Sequence, residues 1–245
     1  MRSIALIPAR LGATRFPGKM LALIKGKSVI RRTYESTVAT GLFDEVIVVS
    51  DSDEIISEIT AHGGKAVKSK RAYESGTDRI AEVVATMEGD VFVNVQGDEP
   101  FVQREPLEQL LALFREDDNL QVGSLVQELH EPQFIEDPNY VKVALDKKLN
   151  ALFFSRSVIP YPRNQNAATT YYEHIGVYAF RKQALMDFTR WEMTPLETTE
   201  KIECLRFLEH GVAIRMAVCG YMGVEIDMPD DIKRAEALMA QNGWQ

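Results

Sequence analysis

Three short apolar runs alternate with segments of helical periodicity in the first hundred residues, and this alternation constrains the fold more than any other feature. The runs cover residues 3–8, 44–50 and 91–95, and each has the composition of a strand that is buried on both faces. Between the first two runs, apolar residues recur at helical spacing over 29–39, and Gly41 supplies a stop. Strands that alternate with helices form βαβ units. The predicted fold class is therefore α/β, with a mainly parallel, Rossmann-like sheet flanked by helices.

The alternation loosens after residue 120, where successive strand patterns predict an antiparallel excursion. These patterns cover 120–126, 140–145, 150–154 and 171–180. Helices are predicted over 80–87, 182–190 and 199–209, further strands over 212–218 and 223–227, and a closing helix from Pro229. We interpret residues 1–245 as a single domain with an inserted antiparallel sub-region at 120–180, which covers an active site or makes a dimer contact.

Composition narrows the class of partner. The chain of 245 residues is long enough to bury a large core without disulfides, and its two cysteines, Cys204 and Cys219, lack metal-ligand spacing. The formal net charge of −8 argues against general nucleic-acid binding, which requires a basic surface. The N-terminus enters the first predicted strand without the pattern of a signal peptide, and no apolar run approaches the length of a membrane span. These features predict a cytoplasmic protein that binds a small anion and neither nucleic acid nor membrane.

A basic loop follows the first predicted strand and carries the strongest functional signal. Residues 9–19 contain Arg10, Arg15 and Lys19 together with two glycines. In an open α/β sheet, ligands bind beyond the carboxyl ends of the strands, and the N–H groups and cations of such a loop suit a polyphosphate. The loop is neither a P-loop, because Leu21 stands where that motif needs its first glycine, nor a Gly-x-Gly-x-x-Gly dinucleotide motif.

Two acidic patterns follow later strands. Asp98 comes shortly after the strand over 91–95, at the edge of the sheet where the basic loop also lies. Mg²⁺ prefers one or two carboxylates together with phosphate oxygens and water, so Asp98 is a predicted metal ligand. Asp51 and Asp53 resemble the Asp-x-Asp with which many glycosyltransferases hold a metal–nucleotide pair. We favour the simpler interpretation that this pattern caps the next helix and places negative charge in its first turn.

The opening loop resembles the signature loop of nucleotidyltransferases that join a nucleoside triphosphate to a sugar. Further segments extend the resemblance over nearly the whole chain, to the 3-deoxy-manno-octulosonate cytidylyltransferase family, which makes the CMP-activated form of the sugar acid Kdo. Seven segments carry it, namely 7–19, 75–79, 93–100, 154–161, 174–178, 200–206 and 227–231. One such segment would be a weak signal, whereas seven in the same order are specific.

The resemblance implies a transferase that joins CTP to a sugar acid with release of pyrophosphate, for lipopolysaccharide biosynthesis. It also implies the nucleotide-diphospho-sugar transferase type of fold and Mg²⁺ as cofactor. The antiparallel sub-region at 120–180, a predicted sugar-site cover and dimer contact, favours a homodimer. The implied CTP contacts are Arg10, Thr14, Arg15, Lys19, Ser75, Arg79 and Gln96. The implied sugar-acid contacts are Gln96, Arg156, His174, Tyr178, Glu203 and Cys204. Asp98 and Asp227 would hold Mg²⁺, and these two acids with Arg15 and Lys19 form the implied catalytic set.

Simpler roles stay open for the sugar-acid set. Arg156 could be a surface cation, His174 a strand residue with satisfied hydrogen bonds, Tyr178 a core residue and Glu203 part of a solvated helix face.

Several positions depart from the usual pattern of the family. Ala13 stands where Ser is common, Met20 where Pro is common, Cys204 where Gln is usual, and Met228 where Thr is usual. Cys204 matters most, because the lost amide removes a hydrogen-bonding group that could face the sugar. The 8-amino-3,8-dideoxy analogue of Kdo is therefore an alternative substrate.

Three rival functions remain. The chain could activate another sugar acid, such as a nonulosonate, or it could bind nucleotides without catalysis. It could also be a metal-dependent glycosyltransferase that uses Asp51 and Asp53. That rival predicts that Asp51→Ala abolishes activity while Lys19→Ala is mild, and the cytidylyltransferase interpretation predicts the reverse order.

Overall fold

The chain divides into two compact units in the computed structural model, which describes residues 1–12, 15–71, 73, 75–164, 166, 168–220 and 223–244. The first unit comprises residues 1–104 and 222–245, and the second comprises residues 105–221. The predicted sub-region at 120–180 belongs wholly to the second unit. The interpretation as a single domain stays a prediction, which one cooperative unfolding transition would support.

The described elements alternate in the first half and become strand-rich in the second. The strands are β1 (Ser3–Ala9), β2 (Leu23–Ile24), β3 (Lys27–Ser28), β4 (Glu45–Ser50), β5 (Ala66–Lys68), β6 (Val91–Asn94), β7 (Val122–Leu129), β8 (Lys142–Leu145), β9 (Ala151–Ser155), β10 (Tyr171–Phe180) and β11 (Ile214–Val218). The helices are α1 (Val29–Ala39), α2 (Asp53–Ala61), α3 (Gly76–Val84), α4 (Arg104–Glu116), α5 (Pro132–Glu136), α6 (Lys182–Phe188), α7 (Pro195–Glu200), α8 (Leu205–Glu209) and α9 (Pro229–Asn242), with a 3-10 helix at Lys19–Leu21.

The first unit contains a parallel sheet in the order β6-β1-β4-β5. All seven residues of β1 are buried, as its apolar run predicts for a central strand covered on both faces. Helix α1 begins where Ser28 accepts a hydrogen bond from the backbone N–H of Arg31, which satisfies one of the free donors of the first turn. Because β1, β4 and β6 run in the same direction, their carboxyl ends lie at one edge of the sheet.

The second unit is a mixed sheet centred on β7. Strand β10 pairs with β7 in an antiparallel direction, and β11 pairs with β7 in a parallel direction. Strands β8 and β9 form the predicted hairpin, and β8 also pairs antiparallel with β10. The predicted α/β class, with parallel strands first and an antiparallel excursion in the second half, is confirmed.

Two element predictions are wrong. The helix predicted over 199–209 is two helices, because Lys201 adopts a left-handed conformation (φ 55°) that ends α7. The strand predicted over 223–227 does not form. Gly223 has a φ of 130°, a positive value that residues with a side chain do not adopt in strands. The helix predicted over 80–87 is α3, which begins four residues earlier at Gly76, where Ser75 caps it.

Among the described helices, none combines the length and the apolar character that a membrane span requires.

Candidate active site

The basic loop after β1 is closed by its own backbone and delivers Lys19 to a buried position. The N–H of Gly18 donates to the carbonyl of Leu11 at 3.1 Å, and the N–H of Lys19 donates to Phe16 at 3.1 Å. Gly18 has a φ of 73°, a left-handed conformation that glycine adopts without the strain of a Cβ atom. The 3-10 helix starts at Lys19, which is only 8% exposed. A lysine in such a position needs charged partners.

Two carboxylates supply those partners. The Lys19 ammonium donates to Asp98 at 2.5 Å and to Asp227 at 3.1 Å. The guanidinium of Arg15 contacts the other carboxylate oxygen of Asp227 at 2.8 Å. Burial alone would lower the pKa of Lys19, but the charges and hydrogen bonds of the two acids outweigh it and raise that pKa above its usual value. Lys19 is therefore a fixed cation between two fixed acids.

The two acids are brought together by backbone contacts. Asp98 follows β6, and its carbonyl accepts a hydrogen bond from the N–H of Ile226 at 3.0 Å. Asp227 stands at the start of α9, where the Asp231 carboxylate accepts the N–H groups of Asp227 (3.0 Å) and Met228 (2.8 Å). Residues 129 positions apart in sequence thus present their carboxylates to one lysine.

Gly97 allows this arrangement. A Cβ atom at Gly97 would lie 2.8 Å from the carbonyl oxygen of Pro8, a distance that real Cβ atoms do not show. The hydroxyl of Thr33 in α1 donates to the Gly97 carbonyl at 2.8 Å and anchors the turn. The close approach between the turn and β1 explains why a glycine precedes Asp98.

A third carboxylate, missed in the sequence, joins the pair. One carboxylate oxygen each from Asp98, Glu225 and Asp227 lie within 4.8 Å of one another. Although Glu225 is exposed as a residue, protein atoms crowd its carboxyl group. The resulting desolvation, with the negative charges of Asp98, Glu99 and Asp227, raises the pKa of Glu225 well above its usual value. The signal that could have found Glu225 was its position two residues before Asp227.

The same edge of the first unit holds a cavity of about 220 Å³. Its lining includes every described residue that was predicted to contact CTP, namely Arg10, Arg15, Lys19, Ser75, Arg79 and Gln96. Asp98 and Asp227 also line it, together with the aromatic side chains of Phe16 and Tyr73. Thr14, the remaining predicted contact, lies outside the described residues. The cavity thus combines four cations with two acids, a distribution suited to a polyanion that carries a metal ion.

Helix α3 contributes one wall of this cavity. The hydroxyl of Ser75 caps the helix by accepting the N–H groups of Thr77 (3.1 Å) and Asp78 (3.3 Å). Arg79, one turn into α3, is 2% exposed, and its guanidinium donates to the Asp51 carboxylate at 2.7 Å. A buried cation at a cavity wall is a directional hydrogen-bond donor whose orientation depends on its partners.

The capping interpretation of the Asp51-x-Asp53 pattern is correct for one of the two acids. Ser52 caps α2 and Asp53 lies in its first turn, where negative charge is favourable. Asp51 instead pairs with Arg79. Neither acid belongs to the carboxylate group at Asp98.

Gln96 lies in the first unit, whereas the other predicted sugar-acid residues lie in the second, where two of them share β10. His174 Nε2 is 3.1 Å from the hydroxyl of Ser124, which itself donates to the Val177 carbonyl at 2.8 Å. Burial lowers the pKa of His174 to about 4, so the ring is neutral at pH 7. The rings of His174 and Tyr178 lie 5.2 Å apart.

Glu203 and Cys204 lie in the turn between α7 and α8, not on a helix face. Cys204 is 1% exposed, and burial raises the pKa of its thiol. Tyr178 is also buried, and this burial raises the pKa of its hydroxyl. The nearby Cys204 and Glu203 groups and a hydrogen bond with Cys204 raise that pKa further. The thiol of Cys204 therefore has a protein partner in Tyr178.

Arg156 is held by main-chain oxygens. Its guanidinium donates to the carbonyls of Glu200 (2.8 Å) and Pro138 (2.9 Å), and its backbone N–H donates to the Glu200 carboxylate at 3.0 Å. Ser155 donates to the same carboxylate at 2.7 Å. Arg156 is thus anchored to the end of α7 and is not a loosely solvated surface cation.

Comparison with known proteins gives matches over almost the full length. A family model for cytidylyltransferases matches residues 4–214. The 3-deoxy-manno-octulosonate cytidylyltransferase of Flavobacterium johnsoniae is 51% identical over 241 residues, which cover 98% of this chain and 99% of that protein. The enzyme of the same name from Christiangramia forsetii is 49% identical over 241 residues, with 98% and 97% covered.

Solved structures agree with these matches. A structure of CMP:2-keto-3-deoxy-manno-octonic acid synthetase complexed with CTP is similar with a TM-score of 0.94 and 37% identity, over 99% of this chain and 100% of that one. The 4-diphosphocytidyl-2C-methyl-D-erythritol synthase of Anaerococcus prevotii is 14% identical with a TM-score of 0.64 over 98% of both chains, which is a likeness of fold alone.

Proposed function

The chain belongs to the cytidylyltransferase family, and we propose that it transfers the CMP group of CTP to 3-deoxy-manno-octulosonate with release of pyrophosphate. The observation that carries this proposal is the set of cations around one cavity, Arg10, Arg15 and Lys19, beside the acids Asp98 and Asp227. A triphosphate needs positive charge, and its metal ion needs carboxylates. The curated relatives named for this reaction cover the chain from end to end.

The acids suit Mg²⁺, which we propose as the cofactor. Asp98, Glu225 and Asp227 offer only oxygen ligands, within 4.8 Å of one another, and Mg²⁺ prefers hard oxygen donors. The Lys19 ammonium between Asp98 and Asp227 indicates that this position attracts a cation. When bound, Mg²⁺ would neutralise charge on the triphosphate and lower the pKa of the attacking hydroxyl.

The reaction needs positioning and charge neutralisation more than covalent chemistry from the protein. The anomeric hydroxyl of the sugar acid loses its proton to solvent as its oxygen forms a bond to the α-phosphorus of CTP. The bond between the α-phosphorus and the oxygen that bridges to the β-phosphorus breaks, and pyrophosphate leaves with that oxygen. Negative charge builds on the α-phosphate as the hydroxyl attacks. We assign Lys19 to that charge, because it is a buried and preoriented donor whose raised pKa keeps it protonated. Arg10 and Arg15 hold the outer phosphates.

The base and the sugar acid would be recognised by other groups. Ser75 and Arg79 at the α3 wall are the proposed readers of the cytosine edge, since both line the cavity and both are held by hydrogen bonds. For the sugar acid we propose Arg156 as the partner of its carboxylate, with Gln96, His174, Tyr178, Glu203 and Cys204 around its hydroxyl groups. The neutral state of His174 at pH 7 suits a hydrogen-bonding role and not a charge-pairing one.

A pyrophosphate-release assay tests the proposal. The purified chain is incubated with Mg²⁺, each of the four nucleoside triphosphates in turn, and Kdo, its 8-amino-3,8-dideoxy analogue or a nonulosonate. We expect release with CTP and Kdo. Preference for the amino analogue would assign the variant substrate suggested at Cys204, and preference for a nonulosonate would assign the rival sugar acid. No release with any combination would contradict the proposal and favour a non-catalytic nucleotide-binding protein.

We further propose a homodimer that works in the cytoplasm, where CTP is available. The second unit exposes apolar side chains, among them Leu152 (62% exposed) and Tyr161 (81%), within the predicted contact region 120–180. A contact with a second copy would bury such side chains. Light scattering on the purified chain is expected to give twice the mass of 27.6 kDa, and a monomer at micromolar concentration would contradict the dimer.

A further inference from the structure

Asp51 is left without a role by the proposed reaction, although the sequence places it directly after β4 at the edge of the sheet where the cavity lies. It does not line the cavity and does not belong to the carboxylate group at Asp98. Its carboxylate contacts Arg79, which does line the cavity. Asp51 can therefore act on a bound nucleotide through Arg79.

The Arg79 guanidinium is fixed by three groups, one after β4 and two in the loop between β5 and α3. One terminal nitrogen donates to Asp51 at 2.7 Å and to the hydroxyl of Ser69 at 3.3 Å, and the other donates to the Tyr73 carbonyl at 3.4 Å. The Arg79 side chain is 3% exposed, whereas that of Asp51 is 32% exposed. Asp51 is the charged member of this set and makes the shortest contact. Among the described partners, removing it would leave the buried guanidinium with the neutral acceptors Ser69 and Tyr73, which is costly and favours reorientation.

Pairing with Asp51 also determines how Arg79 can bind a nucleotide. Three hydrogen bonds hold the Arg79 guanidinium at the wall of the cavity, so its remaining N–H groups keep a fixed direction. A donor of fixed direction suits an acceptor on the edge of a base. The ion pair with Asp51 thus prepares Arg79 for base recognition.

We propose that Asp51 is a positioning residue for nucleotide choice, because it holds Arg79 in the orientation that distinguishes cytosine from uracil. This inference rests on the proposed function, in which Arg79 reads the base. Cytosine and uracil differ at position 4, which carries an amino group or a carbonyl, and at N3, which is an acceptor in cytosine and an N–H donor in uracil. A guanidinium donor that is displaced from N3 therefore loses discrimination even when overall affinity persists.

The test compares the binding of CTP and UTP to wild type, Asp51→Asn, Asp51→Glu and Ser69→Ala by titration calorimetry. Asp51→Asn keeps the size and one acceptor but loses the charge. We expect the ratio of UTP to CTP dissociation constants to fall about tenfold, which corresponds to about 1.4 kcal/mol. Asp51→Glu should recover part of the ratio, and Ser69→Ala, which removes only the weaker neutral contact, should change it less than Asp51→Asn. Asp53→Asn is the matched control, since Asp53 pairs with Lys68 on the surface and should leave the ratio unchanged.

Turnover separates positioning from simple destabilisation. With CTP and Kdo, Asp51→Asn should raise KM and leave kcat within about threefold, because base recognition acts equally in the ground and transition states. A lowered Tm with an unchanged UTP-to-CTP ratio would overturn the inference and leave Asp51 a merely structural role. A wild type that releases pyrophosphate but binds CTP and UTP equally would also overturn it, while the proposed reaction would stand. A wild type that neither binds CTP nor releases pyrophosphate would overturn both.

Discussion

Replacing Lys19 by methionine removes the buried cation that lies between Asp98 and Asp227 while nearly keeping the length of the side chain. The ammonium lies 2.5 Å from Asp98 and 3.1 Å from Asp227, and carboxylate oxygens of these two acids lie within 4.8 Å of each other. Two unit charges at that separation repel by about 3 kcal/mol at an effective dielectric constant of about 20. Since Asp227 is 30% exposed, water screens part of this, and we expect Lys19→Met to destabilise the metal-free protein by about 2 kcal/mol.

That loss corresponds to a Tm lower by about 4 to 8 °C for a chain of this size. Added Mg²⁺ should restore more of the Tm in Lys19→Met than in wild type, because a divalent cation between the acids replaces the missing charge. Activity should fall about 100- to 1,000-fold in kcat, and kcat/KM should fall equally, if Lys19 acts on charge that develops in the transition state.

Lys27→Met is the matched control for this experiment. Lys27 pairs with Glu35 at 2.7 Å, but both side chains are more than a third exposed, so the same substitution should change Tm and kcat little. Calorimetry and initial-rate assays on the three proteins would measure both effects. A Lys19→Met protein with the Tm and kcat of wild type would refute the electrostatic reasoning.

Three further predictions concern single side chains. Arg206→Met should lower the free energy of unfolding in urea by about 3 to 5 kcal/mol, because Arg206 and Glu197 form a buried bidentate ion pair at 2.6 and 2.7 Å. A loss below about 1 kcal/mol would contradict this prediction. Since burial lowers the pKa of His174 to about 4, neutral His174 contributes stability that is fully present above pH 6.5 and lost as pH falls toward 4. Between pH 7 and pH 4.5, the free energy of unfolding of wild type should therefore fall by about 2 kcal/mol more than that of His174→Gln. Parallel curves of stability against pH for the two proteins would disprove this prediction. Gly97→Ala should lower kcat at least tenfold by displacing the turn from Pro8, and an unchanged kcat would show that the turn tolerates a Cβ atom.

Much of the first unit could be predicted from the sequence, because its signals are local. The apolar run of β1 and the β-branched centre of β4 indicate buried strands, and the loop that follows β1 carries its cations within eleven residues. Asp98 was recognisable because a glycine turn places it at the end of β6. Each of these inferences depends on neighbours in the chain, which a sequence displays directly.

The remaining features depend on distant contacts. No spacing in the sequence indicates that Asp51 meets Arg79, since the pair forms only when β4 and α3 pack together. The helix break at Lys201 went unpredicted because lysine favours helix, and the left-handed residue there is stabilised by the surrounding fold. Glu225 was missed because its segment was interpreted as a strand that ends at Asp227, and only the acid at the end of that strand was predicted to reach the site.

Isotope labelling of the reaction tests the central claim most directly, namely that the cation-lined cavity holds CTP for attack of the sugar hydroxyl on its α-phosphorus. Kdo would be equilibrated in H₂¹⁸O, which labels its anomeric oxygen through exchange of the open-chain ketone, and converted with CTP in the same water. Both products would be analysed by ³¹P NMR and mass spectrometry. We predict that all the label lies in the oxygen that bridges the sugar and the CMP phosphorus, with none in pyrophosphate. Label in pyrophosphate, or a nucleotide product without label, would contradict the claim.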